Sequence, residues 1–322
     1  MSTAIDATDP SLQTLVVRAK RMLTPEVAWF ELARADGTAL PTFSAGAHLT
    51  VQTPSGAMRQ YSLCGDPEVR DRYELAILRE RSGRGGSRSM VDDLHEGQPV
   101  QVRPPENAFA LSDKARQFLF VAGGIGITPL LAMMKQLTHE GLRSFKLIYL
   151  TRDAEHTPFL DALTAQWPDQ VRIHHSASKG RMDLWPVFEK PTSGTHIHCC
   201  GPRGLIDEVL DMTGHWPSGS VHVERFGVDT QPRPQDHPFE VQLRSGGEPV
   251  RVEVGQSILE ALRARGVRVL SSCESGTCGS CKVRYLAGEV DHRDMVLMPQ
   301  EQGDHLMACV SRARSGTLVL DL

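Results

Sequence analysis

Four cysteines constrain this chain more than any other feature of its sequence. Three fall within nine residues, Cys273-Glu-Ser-Gly-Thr-Cys278-Gly-Ser-Cys281, and Cys309 follows after 27 intervening residues. This C-x4-C-x2-C…C pattern is the plant-type [2Fe–2S] spacing, in which four thiolates hold two irons. Glycines at 276 and 279 allow the positive φ angles that a loop needs to wrap such an anion. The sequence therefore predicts cluster ligands at Cys273, Cys278, Cys281 and Cys309.

Zinc is the alternative occupant of these cysteines, although structural zinc sites usually bring their ligands in two short-spaced pairs. A Rieske centre needs two histidine ligands, and no Cys-x-His sequence occurs in the chain. The full count of cysteines is seven, and residues 1–15 show neither a basic start nor an apolar run. We therefore expect no secretory signal, no disulfide framework and a cytoplasmic location.

Length and charge narrow the class of protein. The 322 residues correspond to two or three domains. Basic side chains number 35 and acidic ones 39, a net charge of −4, whereas a nucleic-acid-binding protein usually has a strongly basic domain. The uncharged stretch Phe118–Met134 has 17 residues, with three glycines and a proline, fewer than the roughly 20 apolar residues of a membrane helix. Neither nucleic acid nor a membrane is an expected partner.

The pattern of apolar and polar residues changes twice along the chain. Six short alternating segments predict an antiparallel β-barrel; they are Leu15–Ala19, Trp29–Leu32, His48–Thr53, Gln60–Leu63, Arg72–Leu78 and Pro99–Arg103. From 117 to about 226, buried strands alternate with helices, which predicts a parallel α/β domain. A Pro-rich linker precedes two strands, a capped helix and the cysteine loop, which predict an α+β domain. The predicted boundaries are 1–111, 112–228, 229–237 (the linker) and 238–322.

Two glycine turns in the α/β domain predict a nucleotide site. The first strand runs into Gly123-Gly-Ile-Gly126-Ile-Thr128-Pro129, where Thr128 suits an N-cap and Pro129 the first helical position. The fourth strand ends in Cys199-Cys-Gly-Pro202, at the sheet edge where open α/β folds bind ligands. Glycines there let a pyrophosphate approach backbone N–H groups. His196 and His198 on the same strand are interpreted as part of a buried strand rather than as metal ligands.

A second anion cradle is predicted in the barrel. Arg59-Gln-Tyr61-Ser62 lies on a strand, and Gly83-Arg-Gly85-Gly86-Ser87 precedes a short helix. Together they offer a guanidinium, backbone N–H groups for a phosphate and an aromatic ring for an isoalloxazine. RNA binding is the alternative for the arginines around position 84, but aromatic residues are not interleaved with them.

Taken together, these motifs resemble those of the phthalate dioxygenase reductase family, flavin-NAD reductases of the ferredoxin-reductase type that end in a plant-type ferredoxin. The resemblance covers essentially the whole chain through RQYSLCGD, GRGGS, VAGGIGITP, YLTRD, CCGP, MTGHWPSG, SSCESGTCGSCK, GEVDHRDMVL and CVSRARS. It implies a β-grasp ferredoxin domain and electron transfer from NADH through FMN and the cluster to an oxygenase. The partner that it implies is the Rieske centre of a separate aromatic-ring oxygenase, met transiently by a monomer.

The resemblance also assigns residues. FMN is expected to meet Arg59, Tyr61, Ser62, Ala76, Ile77, Leu78, Arg79, Gly85, Gly86, Ser87, Thr128 and Phe226. NADH is expected along Gly124, Gly126, Pro129, Cys200, Gly201 and Pro202. No side chain is needed as a general acid or base, because the cofactors carry the chemistry. Cys200 and Glu224 are candidates for positioning hydride transfer.

Several alternatives stay open at this point. A reductase that serves a demethylase-type oxygenase, such as one acting on vanillate, differs in partner rather than in chemistry. A non-catalytic redox sensor needs an output element, which the sequence does not show, and a zinc scaffold needs only the four cysteines. NADH is the expected donor, but the hydroxyls and cations in His175-Ser-Ala-Ser178-Lys179-Gly-Arg181 suit a 2′-phosphate, where an acidic residue would repel it.

Overall fold

The structure, a computed structural model, describes residues 12–81, 84–227 and 232–322. Internal contacts divide these residues into two compact units. The first contains 12–81 and 85–225, and the second contains Arg84, 226–227 and 232–322. The predicted barrel and α/β domain therefore share one unit. The predicted domain boundaries, including the linker at 229–237, stay a prediction.

The barrel sheet of the first unit has six antiparallel strands in the order β4-β3-β6-β1-β2-β5. An isolated bridge between Leu63 and Leu75 joins the end of β4 to β5 and so links the two edges. Alternating apolar residues such as Leu15, Val17 and Leu49 fill the interior, as period-2 patterning requires. The elements are β1 (Gln13–Thr24), β2 (Val27–Ala33), β3 (His48–Gln52), β4 (Met58–Ser62), β5 (Tyr73–Leu78), α1 (Gly86–Asp93) and β6 (Pro99–Val102).

The second sheet of this unit is parallel throughout, in the order β11-β10-β7-β8-β9. Its three central strands are largely buried, as expected for a parallel sheet with helices on both faces. The elements are β7 (Gln117–Gly123), α2 (Ile127–Glu140), β8 (Ser144–Thr151), α3 (Leu160–Gln166), β9 (Val171–His175), α4 (Ser176–Lys179), α5 (Trp185–Phe188), β10 (Thr195–Cys200), α6 (Arg203–Met212) and β11 (Val221–Glu224). No helix among the described residues has the length and apolar character needed to span a bilayer.

The start of α2 differs from the prediction. A 3-10 turn over Gly124–Gly126 leads directly into α2, so Gly126 occupies the N-cap position. The Thr128 hydroxyl lies inside the first turn and donates to the Ile125 carbonyl at 3.0 Å. The N-cap role predicted for Thr128 is therefore wrong. Pro129 falls in the third helical position rather than the first, where its missing N–H is still one of the groups without a partner inside the helix.

The second unit has one mixed sheet in the order β13-β12-β16-β14-β15, with β12 and β16 parallel. The predicted capping box is present: the Glu260 N–H donates to the Ser257 hydroxyl at 3.1 Å, and the Ser257 N–H to the Glu260 carboxylate at 2.8 Å. The elements are β12 (Phe239–Leu243), β13 (Val250–Val252), α7 (Ile258–Ala264), β14 (Lys282–Asp291), a 3-10 turn (Glu301–Gly303), β15 (His305–Met307) and β16 (Arg312–Leu320).

One end of the predicted linker is packed into the second unit. The Asp236 carboxylate is 3% exposed and pairs with Arg293, and Arg312 lies 3.9 Å from it. Arg312 also donates to the carbonyls of Gln256 and His237. A buried charge persists where it is paired and hydrogen-bonded, so this part of the Pro-rich segment is ordered. Positions 229–231 of the predicted linker lie outside the described residues.

Candidate functional site

The four predicted ligand cysteines form two thiol pairs. Cys273 and Cys278 are hydrogen-bonded to each other, as are Cys281 and Cys309. In each pair the hydrogen bond lowers the pKa of one thiol, that of Cys273 or Cys281, and raises the pKa of its partner. Two thiolate pairs are the donor set that two irons require, so the residues fit a binuclear cluster. Cys278 is the exposed member, and the other three are buried.

The loop around these thiols follows the expected conformation and adds one surprise. Gly276 and Gly279 have φ angles of 76° and 81°, as predicted. Glu274, beside the first ligand, also has a positive φ of 51°, which is uncommon for a residue with a Cβ. The Ser275 N–H donates to the Cys273 sulfur at 3.4 Å, and the Cys273 N–H to the Cys278 sulfur at 3.5 Å. Such N–H···S bonds help to set a cluster potential.

Arg59, Gly85, Gly86 and Ser87 of the predicted flavin phosphate cradle lie in the first unit, and Gly83 lies outside the described residues. Gly85 has a φ of 86° and caps α1. A Cβ at Gly86 would lie 3.0 Å from the Arg59 side chain, so this glycine lets the arginine lie across the helix start. Ser87 accepts a hydrogen bond from the Glu80 N–H at 3.1 Å.

Tyr61 supplies the test of whether a flavin fits. Its hydroxyl is buried without a hydrogen-bond partner among the described residues, and burial raises the pKa of this phenol. A buried hydroxyl normally has a partner, and a bound flavin with its ribityl phosphate offers one. The residues present therefore fit FMN.

The other predicted flavin residues differ in where their side chains lie. On β5 the side chains alternate, so Ile77, 1% exposed, lies in the barrel core on the face opposite Ala76 and Leu78. Arg79 makes a two-pronged ion pair with Asp92 of α1, at 2.8 to 3.1 Å. Phe226 belongs to the second unit, and its ring is 47% exposed.

The two glycine turns of the α/β sheet pack against each other. A Cβ on Gly126 would lie 2.2 Å from the Cys200 carbonyl oxygen, and one on Gly123 would lie 2.6 Å from Pro202. A Cβ on Gly201 would in turn lie 3.0 Å from the Gly123 backbone. Gly124 differs, because its φ is 52° and open space surrounds it. Three glycines serve close packing, whereas the open space at Gly124 is compatible with the predicted pyrophosphate position.

Gly126→Ala is expected to lower the free energy of unfolding of the first unit by about 1–3 kcal/mol, because the added methyl meets backbone that cannot move cheaply. Urea unfolding followed by tryptophan fluorescence measures it, since all four tryptophans lie between positions 29 and 216. Gly204→Ala on α6 is the control: nothing lies within 4 Å of its Cβ position, and helical alanine is favoured over glycine. Equal stability of the two variants would contradict the packing argument.

Cys200, Glu224 and Ser62 meet at the edge of the parallel sheet. Cys200 lies directly beside Glu224 in the β10–β11 register, and its thiol donates to the carboxylate at 3.8 Å. Burial raises the pKa of Glu224 to about 7, opposed by hydrogen bonds from Cys200 and Ser62. Burial, and then Glu224, raise the pKa of the Cys200 thiol well above its usual value. The structure thus brings a predicted flavin residue and the two positioning candidates together.

The histidines of β10 lie elsewhere. His196 and His198 share one face of the strand with His222 of β11, and the rings of His198 and His222 stack at 4.4 Å. Burial lowers the pKa of His198 to about 3, so this stack is neutral near pH 7. The interpretation of these histidines as part of a buried strand agrees with this placement.

Comparison with known proteins identifies the family. A model of 2Fe-2S iron-sulfur cluster binding domains matches residues 243–314. A second, described as the N-terminal domain of dimethylamine monooxygenase subunit DmmA-like proteins, matches residues 98–217. The chain is 52% identical over 317 residues to the phthalate 4,5-dioxygenase oxygenase reductase subunit of Pseudomonas putida, with 98% of each covered. The chain belongs to the phthalate dioxygenase reductase family.

Two further relatives agree with this membership. A solved structure of phthalate dioxygenase reductase, described as modular for electron transfer from pyridine nucleotides to [2Fe-2S], superposes with a TM-score of 0.89 and 51% identity, over 97% of this chain and 98% of that one. Vanillate O-demethylase oxidoreductase of Pseudomonas putida is 38% identical, over 95% of this chain and 99% of that one.

Membership in the phthalate dioxygenase reductase family confirms the predicted fold class and activity. The chain is an oxidoreductase that moves electrons from NADH through FMN and a [2Fe–2S] cluster to an oxygenase. The cluster-binding match leaves the zinc scaffold without support, and membership in a family of reductases does the same for the non-catalytic sensor. The assignment of individual residues to each cofactor stays a prediction.

Sequence reasoning missed three features of this site. The link from Ser62 to Glu224 joins strands 162 positions apart in the sequence, and no local pattern encodes such a distance. The positive φ of Glu274 carries no glycine signal. Arg181, proposed as a cation for a 2′-phosphate, forms an ion pair with Glu208 of α6, a partner 27 positions away in the sequence.

Proposed function

We propose that this chain is the reductase component for a Rieske oxygenase that acts on phthalate or a similar aromatic dicarboxylate. The identity to the phthalate relatives is higher than to the vanillate relative, over nearly equal coverage, which supports this substrate class. The observation that carries the transfer of single electrons to a separate oxygenase is the exposure of Cys278 alone among the four proposed ligand cysteines. A one-electron donor needs such an exit at its surface, and a small, transient contact is sufficient there.

The chain's own residues would hold and orient the cofactors. Bound FMN supplies the exchange of electron pairs for single electrons, which side chains cannot perform. Arg59, Gly86 and Ser87 would hold its phosphate, and the Tyr61 hydroxyl would gain a partner. Gly124 and the turn that starts at Cys200 would receive the pyrophosphate of NADH. Ser62, Cys200 and Glu224 would set the position of the nicotinamide and exclude water from it.

The remaining assignments are proposed with the same support from family membership. They place Ala76, Ile77, Leu78, Arg79, Gly85, Thr128 and Phe226 at FMN, Gly126, Pro129, Gly201 and Pro202 at NADH, and Cys273, Cys278, Cys281 and Cys309 at the cluster. We further propose a monomer in the cytoplasm, where NADH is supplied and thiols stay reduced, without nucleic acid or membrane partners. The net charge of −4 supports the exclusion of nucleic acid.

The test is turnover with purified oxygenases. The holoprotein, NADH and a phthalate dioxygenase should consume phthalate and NADH in a fixed ratio, and a vanillate demethylase in its place should give a much lower rate. Each oxygenase with its own reductase is the positive control. Faster coupling to the vanillate enzyme would overturn the substrate class and leave the reductase activity intact.

The loop after β9, which comprises residues 176–181 and includes the short helix α4, predicts whether NADH or NADPH is preferred. Ser178→Asp is expected to lower flavin reduction by NADPH about fivefold with NADH unchanged, because a carboxylate repels a 2′-phosphate. Stopped-flow bleaching of the flavin with each nucleotide measures this. Ser144→Asp places the same charge on an exposed residue at the start of β8. This position is at the amino-terminal ends of the strands, whereas the loop follows the carboxyl end of β9, so neither rate should change. An equal loss with NADH and NADPH would show that the loop does not sense the 2′ position.

A further inference from the structure

Arg84 lies against the cluster loop within the second unit. One guanidinium nitrogen donates to the Cys309 carbonyl at 3.3 Å, and the other donates to the Glu274 carbonyl. Its side chain is only 13% exposed. These two carbonyls belong to the fourth ligand and to the residue after the first ligand, so a single side chain joins two segments that are 35 positions apart.

Two carboxylates, Glu260 and Glu274, and a second guanidinium, Arg263, lie near Arg84. Glu260 lies 3.8 Å from the guanidinium. The Glu274 carboxylate, 1% exposed as a side chain, receives Arg263 at 2.7 Å and the Ser271 hydroxyl at 3.1 Å. Arg84 is therefore the buried cation of this group, since Arg263 is 48% exposed and better screened by water.

A buried cation beside the ligand segments has a defined electrostatic effect. Reduction adds one electron to the cluster and takes its charge, with four thiolates, from −2 to −3. A fixed positive charge stabilises the −3 state more than the −2 state, and low exposure limits the screening. The same guanidinium fork is pre-organised to hold two acceptors at once, which an ammonium group cannot do in the same geometry.

We propose that Arg84 is a positioning residue that joins the segments carrying Cys273 and Cys309 and raises the reduction potential of the cluster. The proposal rests on the established electron transfer and goes beyond it, because it names a residue that the spacing of the ligands does not include. Glu260 acts in the opposite direction through its proximity to Arg84.

The experiment is a potentiometric titration of the holoproteins, with the reduced cluster followed by its EPR signal. Arg84→Gln should shift the reduction equilibrium about tenfold toward the oxidised form, which is about 59 mV for one electron. Glu260→Gln should shift the potential upward, and it keeps the helix start because glutamine also completes a capping box. Arg84→Lys should recover most of the potential but alter the EPR line shape, since the fork is lost.

Arg244→Gln is the matched control. Arg244 pairs with Asp321 at 2.8 Å, and its N–H donates to the Leu320 carbonyl, so it lies at the far end of β16, roughly 26 Å from Arg312 along the strand. The cluster in Arg244→Gln should have the same reduction potential as the cluster in the wild type. An unchanged cluster potential in Arg84→Gln would overturn the proposal, as would the absence of a rise in Glu260→Gln. If Arg84→Gln does not retain its cluster, the potential of Glu260→Gln decides alone. A wild type without a reducible cluster would instead refute the electron-transfer function itself.

Discussion

Cys278→Ser is expected to abolish reduction of cytochrome c while NADH still reduces the flavin. A serine hydroxyl is not an adequate replacement for a thiolate ligand of iron, and Cys278 forms one of the two thiol pairs with Cys273. Electrons would enter the first unit as before and then lack the one-electron carrier. Stopped-flow flavin bleaching and steady-state cytochrome c reduction separate the two steps.

A matched cysteine distinguishes loss of a ligand from loss of any thiol. Cys64 is fully buried in the barrel core, and its thiol donates to the Glu74 carbonyl, a bond that serine keeps. Cys64→Ser should retain iron, sulfide and both activities. Normal cytochrome c reduction by Cys278→Ser would refute the ligand assignment, as would the loss of iron in Cys64→Ser.

Glu224→Gln is expected to remove a large pH dependence from the stability of the first unit. The pKa of Glu224 is about 7 in the folded protein, against an ordinary value of 4.5, because the carboxyl is buried. Between these pH values the folded state binds more protons than the unfolded state, so the free energy of unfolding falls as pH rises from 4.5 to 7. The shift corresponds to about 3 kcal/mol. Glutamine cannot ionise, so the variant should exceed the wild type by about that amount at pH 8.

Urea unfolding at pH 5 and pH 8 checks this through tryptophan fluorescence, which reports on the first unit alone. The nearby histidines, whose pKa values burial lowers, titrate in both proteins and cancel in the difference between them. Glu155→Gln, at an exposed position on the same unit, should follow the wild-type profile. Parallel profiles for the wild type and Glu224→Gln would show that this carboxyl is ionised in the folded state throughout.

Most of the architecture could be predicted because local signals and burial agree. The six barrel segments, the strands before both glycine turns and the capping box at Ser257 all combine alternation or apolar runs with turn residues. The strand over Val221–Glu224 was not predicted, since it is short, lies at the edge of its sheet and is only partly buried. Strand β16 was missed because Arg312 and its neighbours alternate weakly in polarity, and the buried contacts of Arg312 depend on distant carbonyls.

The site was predictable where spacing along the chain determines it. The cysteine loop and the glycine turns are local, so their residues could be named directly. Ser62 and Glu224 meet only because a barrel strand and a sheet edge come together, and Arg84 reaches Cys309 across 225 positions. The start of α2 was placed two residues too late, at Thr128 instead of Gly126, because a 3-10 turn leads directly into the helix.

The interlocked glycines at 123, 126 and 201 limit how this nucleotide fold can be changed. With no space for a methyl between the two loops, neither loop accepts a bulkier sequence unless the other retreats by the same amount. Engineering toward a different dinucleotide would therefore have to exchange both loops as a single cassette, and variation among natural relatives should preserve or replace them together.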